Sequence, residues 1–246
     1  MKIIVANWKA YVGTFQEALK LFEMYKSLAS YKRAAFVLAP PQVFLRSLSK
    51  SYKGRRISFA TQGLGHAGAC TGCTSSKQAK DAGADLALIG HSEQRAQGLT
   101  DEQIADILPE AIAEKVYPIL IVGEYSRSQS AEHFRFVKAQ IKKALSKYPK
   151  TKAAKFMIAY EPVWAVGAKH PLKSQDIEMM MIYIRKTLVQ IFGERKGRKI
   201  PILYGGSVNA ASVSAILDLQ EVSGVLLGRA SVNTKELQDL YNNIKT

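Results

Sequence analysis

Cysteine is almost missing from this chain. Cys70 and Cys73 are the only two in 246 residues, so no disulfide framework holds the fold and stability must come from a buried core. Long apolar runs are missing too. No stretch approaches the roughly 20 residues that span a bilayer, which excludes a membrane-crossing helix. Neither G-x-G-x-x-G nor a P-loop occurs, and this excludes the glycine-rich nucleotide cradles that those motifs build. Carboxylates are in deficit, with 20 Asp+Glu against 35 Lys+Arg and a formal net charge of +15. Such an excess suits nucleic acid, or the steering of a small phosphorylated substrate. The cations are dispersed, densest at Lys138, Lys142, Lys143 and Lys147 and in Glu194-Arg195-Lys196-Gly197-Arg198-Lys199. No aromatic-rich RNA-binding signature accompanies them, so they read as a solvated surface, and nucleic acid is not the expected partner despite the charge. Met1-Lys2 leads straight into Ile3-Ile4-Val5-Ala6 without a signal-type segment, so the expected location is cytoplasmic, with no membrane partner.

What the chain does have is regular alternation. Short apolar runs at 2–6, 34–39, 56–61, 85–89, 117–122, 156–160, 200–204 and 224–227 alternate with amphipathic segments, strongest at 15–29, 101–115, 129–148 and 174–192. Repeated βα units predict an α/β fold. Eight of them in about 250 residues fit a single-domain (β/α)8 barrel of eight parallel strands over 1–246 better than an open doubly wound sheet. The chemistry of such barrels sits at the C-terminal ends of the strands.

Those positions hold Asn7 and Lys9 after the first run, Gln62 after the third, His91 and Glu93 after the fourth and Glu124 after the fifth. Glu161 follows the sixth, Gly205-Gly206-Ser207 the seventh and Gly228-Arg229-Ala230-Ser231 the eighth. Glu161 opens Glu161-Pro162-Val163-Trp164-Ala165-Val166-Gly167-Ala168, where Pro162 favours an extended Glu161 and Gly167 leaves the far end free to bend. That pattern suits a base at the hinge of a lid, although a lone Glu can simply solvate a loop. The two glycine-bearing turns offer unobstructed N–H groups to a phosphate dianion, although either alone could be an ordinary turn. His91 precedes a helical turn whose dipole disfavours the imidazolium, and a neutral imidazole donates to a carbonyl oxygen. A lone His after an apolar run is otherwise a core residue. With Lys9 as a fixed cation, the set specifies proton transfer next to a carbonyl in a small phosphorylated compound.

The segments Ala6-Asn7-Trp8-Lys9, Gly68-Ala69-Cys70-Thr71-Gly72, Ile89-Gly90-His91-Ser92-Glu93, Tyr160-Glu161-Pro162-Val163-Trp164, Tyr204-Gly205-Gly206-Ser207-Val208 and Leu227-Gly228-Arg229-Ala230-Ser231 resemble those of the triosephosphate isomerase family, in order and spacing. The resemblance implies a homodimer that interconverts dihydroxyacetone phosphate and glyceraldehyde 3-phosphate in glycolysis and gluconeogenesis, through an enediolate, without cofactor or metal. It implies Glu161 as base, His91 as neutral donor, and Lys9 and Asn7 as stabilisers of oxyanion charge, with Glu93 in the supporting network. It also implies that Asn7, Trp8, Lys9, Gly167, Ser207, Gly228 and Arg229 bind substrate under a lid at 162–169. Thr71, on a loop at 62–76, would contact the partner subunit.

This chain departs from the family pattern in places. Arg229 stands where a second glycine is usual, Ala10-Tyr11 replaces Met-Asn, Gly63 replaces Asn and Cys73 replaces Glu. The stretch 94–99 is one residue shorter than usual. Cys70-Thr71-Gly72-Cys73, with His66 upstream, leaves open a redox pair or a half zinc site without a clear fourth ligand. The alternative readings are a catalytically retired barrel that binds phosphorylated ligands or nucleic acid, and another phosphosugar isomerase on the same scaffold.

Overall fold

The structure is a computed structural model that describes residues 1–31, 33–66, 68–127, 131–165 and 172–244, the side chains of 153 and 154 apart. Its elements run β1 (Lys2–Asn7), α1 (Phe15–Ser30), β2 (Ala34–Ala39), α2 (Gln42–Ser51), β3 (Ile57–Thr61), α3 (Ser76–Asp81), β4 (Leu86–Ile89), α4 (Ser92–Ala96) and α5 (Asp101–Ala113). They continue with β5 (Tyr117–Val122), α6 (Glu132–Ala144), β6 (Met157–Tyr160), α7 (Ser174–Phe192), α8 (Glu194–Gly197), β7 (Ile202–Tyr204), α9 (Val213–Asp218), β8 (Gly224–Leu227) and α10 (Thr234–Asn242). All eight strands pair in parallel with their neighbours in chain order, and β8 closes on β1. This is the expected (β/α)8 barrel.

The strands read as unbroken apolar runs because both of their faces are buried. Alternation with a period of two still sorts the side chains. Val5, Val37, Leu88, Ile119, Ile121, Leu203 and Leu226 fill the barrel interior. Their neighbours Ile4, Ala6, Phe36, Leu38, Ile89, Leu120 and Leu227 face outward and pack beneath the helices. Four of the described helices open with a reciprocal capping box, at Thr14 with Glu17, Ser75 with Gln78, His91 with Gln94 and Thr100 with Gln103, which fixes where each loop ends.

Several boundaries differ from expectation, most clearly those of α6 and β7. α6 starts at Glu132 rather than 129 because Ala131 is left-handed, at φ 58°. It stops at Ala144 rather than 148, and Pro149 follows close behind, where helical continuation is disfavoured. β7 starts at Ile202 because Pro201 has no N–H to give the ladder; its carbonyl still accepts from Ile158 N at 3.0 Å.

Closure leaves no room on β8 where it meets β1. A Cβ on Gly224 would run into the backbone of Ile3, which cannot yield as a side-chain tip can. Gly224→Ala is expected to cost about 2–3 kcal/mol by overpacking. Gly13→Ala, whose added methyl would meet only Glu17 Oε2 at 3.6 Å, should stay within about 0.5 kcal/mol. Urea denaturation of both proteins decides this, and equal stabilities would show that closure tolerates a side chain.

Candidate active site

The C-terminal ends of the strands form the mouth of a cavity of about 250 Å³, bordered by Lys9, His91, Glu161, Gly205, Ser207, Gly228 and Arg229. Glu161 leaves the end of β6 and is buried. Its N–H donates to Val122 O at 2.8 Å, which ties it to the end of β5. Gly123 permits that approach, since a Cβ there would strike the carbonyl of Glu161. The carboxylate accepts from Ser92 Oγ at 3.1 Å through Oε2, while Oε1 lies 3.2 Å from His91 Nε2.

His91 is the residue before α4. Its Nδ1 accepts the backbone N–H of Glu93 at 3.2 Å. An accepting Nδ1 carries no proton, so the ring is the neutral tautomer with hydrogen on Nε2. Nε2 is buried and, although close to Glu161, is not aligned for a hydrogen bond. Its proton is therefore available to an oxygen entering the cavity. Gln94 holds this arrangement: its Oε1 accepts from Gly90 N at 2.7 Å and His91 N at 3.0 Å, and its Nε2 donates to Gln62 O at 2.7 Å.

Lys9 has φ 46°, a left-handed conformation that costs a non-glycine residue energy and persists only when its surroundings enforce it. Three contacts do so. Lys9 N–H donates to Asn7 Oδ1 at 3.1 Å, Lys9 O accepts from Gln62 Nε2 at 2.9 Å, and Nζ pairs with Glu93 Oε1 at 2.7 Å. Burial pushes the Glu93 carboxyl up, but the hydrogen bond from Lys9 and the charge of Lys9 outweigh it and hold it below the usual value. Glu124, buried at the end of β5, accepts from Tyr160 OH and Trp164 Nε1, each at 2.9 Å, and so ties the start of the loop after Glu161 to the barrel.

The expected residues therefore separate into groups. Lys9, His91, Glu161, Ser207, Gly228 and Arg229 border the cavity. Asn7 is buried behind Lys9, and Glu93 braces Lys9 from the solvent side. Trp8 is fully buried against Tyr25, 6.0 Å between ring centres, because the side chain after Asn7 turns into the layer beneath α1. Gly167 and positions 166–169 of the expected lid lie outside the described residues. Thr71 is exposed on the 62–76 loop, where Cys70 and Cys73 form a disulfide with Cα atoms 5.5 Å apart. His66 pairs with Glu110.

Gln94, Ser92 and Tyr11 carry positions that sequence reading left without a role. A Gln three residues after His91 is the spacing of a capping box, and that signal could have found Gln94.

Fold and cavity define an α/β-barrel enzyme whose chemistry is proton transfer beside a bound anion. The family model described as triosephosphate isomerase matches residues 2–244. Curated relatives named triosephosphate isomerase include one from Dictyoglomus turgidum, 33% identical over 98% of this chain and 99% of its own length. Another, from Clostridium acetobutylicum, is 34% identical over 98% of each. A third, from Thermoanaerobacter sp., is 32% identical over 98% of each. The chain belongs to the triosephosphate isomerase family.

The depressed Glu93 carboxyl contributes stability that is present above its unfolded value, near 4.5, and is lost as pH falls through the lower folded value. Glu93→Gln removes that contribution. Urea midpoints followed downward from neutral pH should fall less steeply below about pH 4.5 in the variant than in wild type, and parallel curves would contradict the Lys9–Glu93 linkage.

Proposed function

We propose that the cavity at the barrel mouth interconverts dihydroxyacetone phosphate and glyceraldehyde 3-phosphate, with Glu161 as the base. Glu161 takes a proton from the carbon beside the carbonyl, giving an enediolate, and returns it to the neighbouring carbon. His91 Nε2–H donates to the carbonyl oxygen as negative charge develops on it and takes part in moving the proton between the two oxygens. Lys9 stabilises that charge, with Asn7 fixing the backbone that carries it. Atoms and electrons are conserved in this exchange, since the proton that leaves one carbon is returned to its neighbour.

The observation that carries the reading is His91. A ring whose Nδ1 is occupied by a backbone N–H can present only a donor to the cavity, and it does so 3.2 Å from the buried carboxylate of Glu161. The carboxylate must leave Ser92 to reach substrate. Ser207, Gly228 and Arg229, and Gly167 beyond the described residues, supply the phosphate cradle through backbone N–H groups. The segment 162–169 acts as the lid that excludes water. The reading includes a homodimer in the cytoplasm with Thr71 reaching the partner subunit, and membership of the family and the exposure of 68–73 support it. No helix among the described residues is long and apolar enough to cross a membrane.

A coupled assay of glyceraldehyde 3-phosphate isomerisation tests this. Glu161→Gln should lower kcat by roughly 10²–10⁴-fold, the typical share of a general base, with KM little changed. A variant as active as wild type removes Glu161 from the reaction.

Arg229 offers the same backbone N–H that glycine would, and its exposed side chain borders the cavity. Arg229→Gly should change inhibition by inorganic phosphate less than about tenfold. A larger loss would make the guanidinium itself a principal phosphate ligand.

A further inference from the structure

The formal charge of +15 looks scattered along the sequence. The fold gathers much of it. Every αβ segment of a parallel barrel returns to the face opposite the active site, and here the segments before β3, β6 and β7 carry an excess of cations. Lys150, Lys152 and Lys155 lead into β6 without an acidic residue among them, and Arg195, Lys196 and Lys199 lead into β7. β6 and β7 are neighbours, so the two segments meet: Lys196 Nζ donates to Lys150 O at 3.3 Å. Glu194, the acidic residue in the second segment, is taken up by Arg198. Lys155 lies over the Tyr117 ring at 4.9 Å. Lys150, Lys152, Arg195 and Lys199 are exposed and have no ion pair among the described residues. Further round the same face, Lys53, Arg55 and Arg56 lead into β3 without an acidic residue. Several cations of the active-site face are by contrast paired, Lys9 with Glu93, Arg95 with Asp101 and Arg127 with Asp176.

We propose that the surface formed by 150–155 and 194–199, at the N-terminal end of β6 and β7, docks duplex nucleic acid through its phosphates, as a second function of the folded enzyme. Unpaired cations concentrated on one face match the repeated charge of a polyphosphate backbone, whose binding is driven by release of its counterions. Large apolar side chains are not exposed in either segment: Tyr148 and Phe156 are buried, and Tyr117 is half-buried beneath Lys155. A membrane surface is held by inserted apolar area as well as charge, and single strands are held by exposed aromatic platforms. The described residues of these two segments offer neither, so a double-stranded backbone is the occupant that fits, without preference for base sequence. The expectation of a merely solvated surface rested on the dispersal of the cations along the sequence and on the lack of an aromatic-rich RNA-binding signature; the return of each αβ segment to one end of the barrel undoes the first, and a duplex backbone does not require the second.

The test is fluorescence anisotropy of the full chain with labelled duplex DNA and duplex RNA, beside a single strand and phosphatidylserine vesicles. Four phosphate contacts predict binding roughly a hundredfold weaker for a fourfold rise in salt. The triple variant Lys152→Glu, Arg195→Glu, Lys199→Glu should lose at least tenfold in duplex affinity. The control Lys20→Glu, Lys77→Glu, Lys235→Glu changes net charge equally at exposed positions away from this face and should lose less than threefold. Both variants should keep the isomerase activity of wild type, which shows that they fold. Equal losses in the two variants, vesicles or single strands bound more tightly than duplex, or no duplex binding at low salt would each overturn the proposal.

Discussion

Closure of the sheet is the constraint on which the rest depends. β8 meets β1 through Gly224 lying against the backbone of Ile3, and once that contact is made every strand has two partners and no edge. Apolar side chains then have two destinations, the barrel interior or the layer beneath the helices. Polar groups can reach water only at the two ends of the barrel. The parallel arrangement makes those ends different: one receives every segment that follows a strand, the other every segment that precedes one.

The first end is organised by a short chain of hydrogen bonds. Gln94 fixes Gly90 and His91 and donates to Gln62 O, Gln62 fixes the carbonyl of Lys9, and Lys9 reaches back to Glu93, whose N–H sets the tautomer of His91. The ring of contacts joins β1, β3 and β4. It holds Lys9 in an otherwise unfavourable backbone conformation and leaves one imidazole proton unspent. A buried polar network of this kind fixes geometry because each member is costly to leave unpaired. Glu161 stands apart from the ring, just after β6, held by Ser92 and by the backbone of β5.

Much of this was legible in the sequence. Eight apolar runs, each followed by a polar or glycine-bearing turn, marked the strands and pointed to Asn7, Lys9, His91, Glu161 and the two glycine turns, because a strand buried on both faces must be continuously apolar and must end where polarity returns. The short helices α3, α8 and α9 were not legible, since fewer than two turns show no period. Ser92 and Gln94 were seen without a role, because a hydrogen bond to residues 69 or 32 positions away leaves no local trace. Trp8 lies in the same run as Asn7 and Lys9, and the run does not reveal that its own side chain packs into the core.

The sequence by itself determined the class of fold, the family and which groups are candidates for the reaction, because these follow from local patterning and from short motifs read in order. Only the tertiary structure decided which nitrogen of His91 faces the cavity, what strains Lys9 and where the excess positive charge collects. Those depend on contacts between segments that become neighbours when the barrel closes, and charge density on a surface is a property of that closure rather than of spacing along the chain.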